Sequence, residues 1–320
     1  MSGAGFRVGK PQGVYRVKSK LKPIVLTIGV FDGVHRGHQA LIAQTIRLAQ
    51  RLKASPEVLT FQDHPAHVLT GTPSIPFLLP RTQTYDFLKK AGAKKVWAIR
   101  FTRAFSQKTP EAFVRWLETL GQLKGVVVGN NFRFGKGAQG DVAELKRLGS
   151  RYGFTVKALK PVRILGEAAS STRARRLLAE GRTGEANQVL GRPYALEGKV
   201  VRGKRVGRKI GFPTANLAAD PRFLPKDGVY ACAVKVGDRF YRAGMNLGKR
   251  PTFKNDDHRR LAEVHLLRYY GPLYGRVLKV YLLKYLRPER KFPSPVELVA
   301  QIKKDLKAIE RVQLKGLKAF

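Results

Sequence analysis

His35 and His38 stand three residues apart where an apolar run gives way to a helical pattern. Val25-Leu26-Thr27-Ile28-Gly29 reads as a short strand, and Val30 to Gly37 as a tight turn carrying Gly33 and Gly37. Leu41, Ile42, Ile46, Ala49 and Leu52 then recur near the helical period, which predicts a helix over 38–53. A strand that feeds a helix N-terminus leaves backbone N–H groups unpaired and pointing outward, so it suits anions. Two imidazoles at the same mouth add protonatable donors. The chemistry is phosphate handling, most naturally on a nucleotide; a plain capping turn is the simpler alternative for either histidine alone. His67 lies three residues beyond His64, but neither histidine pair has a cysteine nearby, and zinc is not expected.

Three more groups could do chemistry. Ser170-Ser171-Thr172-Arg173-Ala174-Arg175 places three hydroxyls and two guanidiniums at the start of a helix, as an N-cap or as a phosphate site. Gly211-Phe212-Pro213-Thr214-Ala215-Asn216 sets Thr214 and Asn216 on one face of an extended segment, a pair of hard oxygens suited to Mg²⁺. Glu263 stands between apolar neighbours in a chain poor in acids, as a base or as an ion-paired strand residue. Residues 135–140 spell G-x-G-x-x-G, yet five residues separate them from the preceding strand, where a dinucleotide turn follows at once. No P-loop pattern occurs.

The upstream run Gly29-Val30-Phe31-Asp32-Gly33-Val34-His35-Arg36-Gly37-His38 resembles the first signature of nucleotidylyltransferases. Its Phe31-Asp32-Gly33 form is similar to that of bacterial FAD synthetases, the adenylylating half of bifunctional riboflavin kinase/FAD synthetases. Gly129-Asn130-Asn131-Phe132-Arg133-Phe134-Gly135-Lys136 and the Ser170–Arg175 run resemble two further motifs of that half, with Ala169 and Ala174 smaller than usual. Phe61-Gln62-Asp63-His64-Pro65 matches a third, with Asp63 in place of a proline. The resemblance implies ATP held by Gly29, Phe31, His35, His38, Ser170, Ser171, Thr172 and Arg175, and flavin contacts from His64 and Asn131. It implies that the FMN phosphate attacks the α-phosphorus of ATP and releases pyrophosphate, with charge stabilised by His35, His38 and Arg175. The Asp32 carboxylate would either hold the turn or influence metal and histidine protonation.

Gly211–Asn216 closely resembles the riboflavin kinase signature. Asp227-Gly228-Val229-Tyr230, Asn246 to Phe253, and Glu263-Val264-His265-Leu266-Leu267 follow in that family's order. Here the resemblance implies that Gly203 and Arg208 bind ATP, that Thr214 and Asn216 carry Mg²⁺, and that Glu263 is the general base toward the riboflavin 5′-hydroxyl. The run Arg268 to Gly275 is basic and aromatic where the family's is usually acidic. Small-molecule substrates ATP, riboflavin and FMN are the implied partners. A basic nucleic-acid-binding protein on an inactive scaffold is the competing class, and a chain with one surviving activity a third.

The elements that must position these residues read in two halves. Strand-like runs at 25–29, 57–61, 96–101 and 125–128 alternate with helical patterns at 38–53, 82–91, 110–120 and 142–151. That predicts a parallel α/β sheet, nucleotidylyltransferase-type and Rossmann-like by resemblance, over residues 1–184, with ligands outside the strands' C-terminal ends. Short alternating runs at 194–202, 228–236, 241–247, 262–267 and 276–286 predict a mainly antiparallel β-barrel, the kinase half, over 185–320. Ser294-Pro295-Val296-Glu297 makes a capping box opening a C-terminal helix whose apolar stripe is Leu298, Ile302, Leu306 and Ile309.

Composition sets outer limits. No run of about 18 apolar residues occurs, so no membrane span is expected. Met1 to Lys10 shows no secretory signal, and one cysteine, Cys232, excludes an internal disulfide, so a cytoplasmic protein is expected. The chain carries 62 Lys and Arg against 22 Asp and Glu, a net charge of +40. The excess is shared between both halves, which argues for a general shortage of acidic surface rather than a nucleic-acid-binding tail. Non-specific RNA binding at low salt is its expected consequence, with no specific nucleic-acid partner and a monomer or weak oligomer.

Overall fold

The computed structural model describes residues 21–71, 76–203, 207, 210–219, 223, 225–249, 260–314 and 317. The first half holds β1 (Pro23–Ile28), α1 (Arg36–Arg51), β2 (Ser55–Phe61), α2 (Pro65–Thr70), α3 (Arg81–Lys90) and β3 (Lys95–Ile99). It continues with α4 (Arg103–Ser106), α5 (Pro110–Glu118), β4 (Gln122–Gly129), α6 (Val142–Tyr152) and β5 (Thr155–Leu159). A small hairpin, β6 (Arg163–Ile164) with β7 (Glu167–Ala168), precedes α7 (Ser171–Glu180) and α8 (Thr183–Leu190).

β1 to β5 form one parallel sheet in the order β3-β2-β1-β4-β5. Helices cover both faces, so the central strands read as continuous apolar runs; Val25, Leu26, Val126, Val127 and Val128 are fully buried. The chain runs outward from β1 on one side and restarts at β4 on the other. A crevice therefore opens between the C-terminal ends of β1 and β4, the place where open α/β sheets bind ligands. α1 buries Ile42, Thr45, Leu48 and Ala49; of the expected stripe Ile42 and Ala49 are fully buried, while Leu41, Ile46 and Leu52 are half-buried. Asp141 caps α6, accepting from the Glu144 amide at 2.9 Å.

The second half comprises β8 (Tyr194–Val201), β9 (Ala215–Ala219), β10 (Gly228–Val236), β11 (Arg239–Lys249), β12 (Arg260–Leu266) and β13 (Val277–Arg287), then α9 (Pro295–Glu310). The strands close an antiparallel barrel in the order β10-β11-β12-β9-β8-β13. Alternation with period two fills it: β8 buries Tyr194, Leu196, Gly198 and Val200, and β12 buries Ala262, Val264 and Leu266. Ser294 caps α9, accepting from the Glu297 amide while donating to its carboxylate.

Several expectations shift. β5, the β6–β7 hairpin and α8 were not anticipated. In α9 only Ile309 of the expected stripe is fully buried, and Leu298, Ile302 and Leu306 are half-buried. The two halves are also not separately packed. One apolar cluster runs from Leu78, Ala174, Leu177 and Leu178 through Val189 and Leu190 into Leu196, Leu217, Tyr230 and Val264 of the barrel.

Candidate functional site

The crevice at the sheet's switch point is a cavity of about 830 Å³, lined by the ends of β1, β2, β4 and β5 and by the N-termini of α1 and α7. That volume falls within the about 300–1,000 Å³ of small-molecule sites. Gly29, His35, His38, His64, Asn131, Ser170, Ser171, Thr172 and Arg175 all line it, so residues up to 146 positions apart in sequence meet in one place.

The turn before α1 is unusual backbone. Phe31, Gly33 and Val34 all have positive φ, at 54°, 71° and 41°. For a β-branched residue such as Val34 this conformation is costly and must be held by its surroundings. It delivers His35 as N-cap of α1, where its Nδ1 accepts from the Gly37 amide at 3.1 Å. An acceptor Nδ1 fixes the neutral tautomer with the proton on Nε2, which is left to donate. His38 stacks on His35 with ring centroids 3.7 Å apart, and its Nδ1 is buried with no hydrogen-bond partner among the described residues. Burial, aided by the nearby Arg192 guanidinium, pushes His35 down to about 4. Burial, then His35 and Arg192, holds His38 well below the usual range too. The pair expected as protonatable donors is thus a pair of neutral imidazoles at neutral pH in the free protein.

Phe31 stands apart from its neighbours. Its ring is fully buried among Val34, Ile42, Val58 and Leu88, 5.0 Å from the His38 ring, and lies behind the histidines rather than on the cavity wall. The side chain supports His38 because an aromatic ring gains most by leaving water. Asp32 is settled by geometry: its Oδ1 accepts from the Leu78 amide at 2.8 Å, and its other oxygen pairs with Arg175. It holds the turn and Arg175 together. Burial lifts its carboxyl above the ordinary range, with Arg175 and the Leu78 amide opposing.

At the facing helix, Ser170 caps α7 through the Arg173 amide and Ser171 donates to the Asp32 carbonyl at 2.9 Å, so both hydroxyls are engaged within the protein. Thr172 is exposed toward the cavity. Arg175 also donates to the Pro76 carbonyl, which fixes its guanidinium at the rim. On the β2 side His64 caps α2, its Nδ1 accepting from the Ala66 amide, so its Nε2 likewise carries the proton. Asn131 is exposed after β4, and a Cβ on Gly129 would come within 3.0 Å of its amide oxygen.

Sequence reasoning missed Arg81, Gln39 and Arg192. Arg81 donates to the Val30 carbonyl and the Thr60 hydroxyl, tying β1's exit to β2. Their partners are mostly backbone carbonyls, which leave no mark in a motif.

A second cluster lies on the barrel. Asn216 of β9 and Asn246 of β11 are the register partners of Glu263 on β12, one on each side. Asn216 is buried, and a Cβ on Gly203 would come within 2.1 Å of its amide nitrogen. A Cβ on Gly207 would likewise lie 3.3 Å from the Thr214 hydroxyl. His265 fixes the strand entrance, its Nδ1 lying 2.8 Å from the Pro213 carbonyl. Gly203, Thr214, Asn216 and Glu263 are thus gathered; Arg208 and residues 250–253 lie outside the described residues. The Asp227-Gly228-Val229-Tyr230 run is structural: Asp227 pairs with Arg260, and the Tyr230 hydroxyl donates to the Lys226 carbonyl.

Among the described residues no helix is long and apolar enough to cross a membrane. The FAD synthetase family matches residues 17–173, and the riboflavin kinase family residues 190–313. A bifunctional riboflavin kinase/FMN adenylyltransferase of Escherichia coli K12 is 38% identical over 284 residues, covering 88% of this chain and 90% of its own. One of Listeria monocytogenes is 35% identical over 283 residues, with the same two shares. One of Buchnera aphidicola from Acyrthosiphon pisum is 31% identical over 302 residues, covering 94% and 96%. A crystal structure of a Streptococcus pneumoniae protein, described as a macrolide-efflux protein, superposes with a TM-score of 0.84 at 30% identity, covering 91% of this chain and 95% of that one. The chain belongs to the bifunctional riboflavin kinase/FMN adenylyltransferase family.

Proposed function

We propose that the protein makes FMN from riboflavin and ATP on the barrel, and FAD from FMN and a second ATP in the sheet crevice. The observation that carries this reading is the convergence of two motif sets on two separate places: His35, His38, Thr172 and Arg175 around one cavity, Thr214, Asn216 and Glu263 on adjoining barrel strands. The division into 1–184 and 185–320 falls in the first turn of α8, which packs against α7 on one side and β13 and β8 on the other.

In the crevice, the α1 N-terminus and the His35 and His38 imidazoles bind the ATP phosphates, and Thr172 with Arg175 receives the pyrophosphate side. His64 and Asn131 face the flavin. An FMN phosphate oxygen forms a bond to the α-phosphorus as the bond to the bridging oxygen of pyrophosphate breaks. No protein nucleophile takes part, so catalysis rests on positioning and on neutralising the charge of the leaving group.

On the barrel, Glu263 accepts the proton of the riboflavin 5′-hydroxyl as that oxygen bonds to the γ-phosphorus and ADP departs. Thr214 and Asn216 offer a hydroxyl and an amide oxygen as hard donors, and among the described residues no group of three His, Cys, Asp or Glu is placed to hold a metal ion. So few hard donors fit Mg²⁺, which takes one or two protein ligands and completes its shell with phosphate oxygens and water. Bound there, Mg²⁺ would offset phosphate charge. The cytoplasm, where a lone thiol such as Cys232 stays reduced, is the setting that fits.

The test is to incubate the protein with riboflavin, ATP and Mg²⁺ and separate the flavins. FMN followed by FAD is expected; FMN alone removes the adenylyltransferase reading, and no phosphorylated flavin removes both. Glu263→Gln is expected to lose FMN formation by about 10²–10⁴-fold while still converting supplied FMN to FAD. Loss of both activities in a folded variant would contradict two separate sites.

A further inference from the structure

The strained turn that carries His35 is held from the other half of the molecule. Arg192 stands just before β8, within the segment that matches riboflavin kinases. Its guanidinium donates to the Gly33 carbonyl at 2.7 Å and to the Val34 carbonyl at 3.2 Å, and also to the Leu190 carbonyl at 3.3 Å. Gln39 of α1 repeats the link, its amide nitrogen reaching the Val34 and Leu190 carbonyls, each at 2.9 Å. Arg192 is 7% exposed, rests on the Phe87 ring at 4.0 Å, and among the described residues pairs with no carboxylate.

A buried guanidinium without a counter-ion is costly unless its donors are satisfied, and here carbonyls satisfy them. Two of those carbonyls belong to Gly33 and Val34, which with Phe31 are the residues of the turn that hold left-handed backbone. The fit beneath them is close: a Cβ on Gly33 would lie 3.3 Å from Leu190, and one on Gly191 would meet Arg36 at 2.6 Å. The planar fork of Arg holds its donors in a fixed geometry that meets two adjacent carbonyls, whereas an ammonium is a compact, rotatable point charge on a flexible stem.

We propose that Arg192, contributed by the kinase half, is a positioning residue for adenylyl transfer: by fixing the Gly33 and Val34 carbonyls it holds the turn that aims His35 and the α1 N-terminus at the ATP phosphates. The adenylyltransferase site is then incomplete without the first residues of the kinase half. After burial, the same Arg192 guanidinium also opposes protonation of the His35 imidazole. The inference rests on the reading of the crevice as the FMN-adenylylating site.

The experiment uses the full-length chain with Arg192→Ala, Arg192→Lys and Gln83→Ala. Gln83 bonds to Glu197 across the two halves without touching the turn. FAD formation from FMN and riboflavin phosphorylation are measured on each preparation, with KM for ATP in both reactions. Arg192→Ala is expected to raise KM for ATP and lower FAD formation by about 10–100-fold while riboflavin phosphorylation stays within about twofold. Arg192→Lys should fall between wild type and Ala, and guanidinium ion at sub-denaturing concentration should restore part of the Ala variant's activity. Gln83→Ala should match wild type in both reactions. The proposal is overturned if Arg192→Ala keeps FAD formation and KM within about twofold, or if it loses riboflavin phosphorylation to the same extent as FAD formation. A wild-type protein that phosphorylates riboflavin but makes no FAD would instead remove the reading of the crevice, and the proposal with it.

Discussion

At the scale of single residues, the site is governed by which polar atoms are already engaged. His35 gives its Nδ1 to the Gly37 amide, Ser170 gives its hydroxyl to the cap of α7, and Asp32 binds Leu78 and Arg175. Among the groups left to meet substrate are the Nε2 protons of His35 and His64, the His38 ring, the Thr172 hydroxyl and part of Arg175. The histidine state yields a pH prediction. The unfolded His35 titrates near 6.5 and the folded one at about 4, so between those values the unfolded chain binds the extra proton. Stability is therefore unaffected by this group above about pH 6.5 and is lost as pH falls through that window. The gap corresponds to about 3 kcal/mol at its low end. Thermal unfolding between pH 7 and 4 should show wild type losing more stability than His35→Gln, with the difference growing below pH 6. Parallel profiles for the two proteins would refute the assignment. The motif spacing made His35, His38 and Arg175 legible, since their types and positions are themselves the signal. It could not show that Phe31 lies behind the histidines, because an aromatic residue beside a turn reads the same whether it faces substrate or core.

At the scale of elements, strong local patterns were readable and weak ones were not. β1, β4 and α1 announce themselves by apolar runs and a clear helical face. α8 does not: Thr-Gly-Glu-Ala-Asn-Gln-Val-Leu contains a glycine and an asparagine, both poor helix formers, and is held by burial of Ala186, Val189 and Leu190 and by Asn187 bonding to the Leu282 carbonyl and the Tyr194 amide. β6 and β7 are two residues each, too short to carry a period, and are tied under α7 by Arg173 reaching the Ile164 and Glu167 carbonyls. The kinase cluster depends on a close crossing that only the fold reveals. The chain leaving β8 passes over β9 at Gly203, so near that a Cβ would overlap the Asn216 amide. Gly203→Ala should therefore push Asn216 away from its place opposite Glu263 and reduce riboflavin phosphorylation by about 10-fold or more, as misplacements near 1 Å do. FAD formation from supplied FMN should be retained, because Gly203 is not among the residues lining the crevice. Measuring both reactions on one preparation decides it: unchanged phosphorylation would mean that the loop yields without moving Asn216.

At the scale of the whole molecule, two properties belong to neither half alone. The first is the shared core, through which α7, α8 and the barrel pack as one body, with Arg192 and Gln39 bridging the same seam. The apolar patterning of each half marked its own interior; the seam was hidden because its residues are ordinary leucines and alanines whose partners lie far off in sequence. The second is the net charge of +40. Many acidic side chains are already paired on the surface, as Glu111 is with Arg115 and Arg151, and Glu185 with Arg182. Unpaired cations therefore dominate the outer field, which draws in polyanions of every kind, ATP and flavin phosphates included. The same field has no means of reading sequence, since base recognition needs side chains aligned with base edges. Single-stranded RNA should consequently bind at low salt with an affinity set by counterion release. For a contact covering about six phosphates of a single strand, that affinity should fall by roughly 300-fold between about 50 and 200 mM salt. Titrating two labelled RNAs of equal length and different sequence across that range tests the point. Equal affinities and a steep common slope are expected, whereas a salt-resistant preference for one RNA would require a recognition surface beyond diffuse charge.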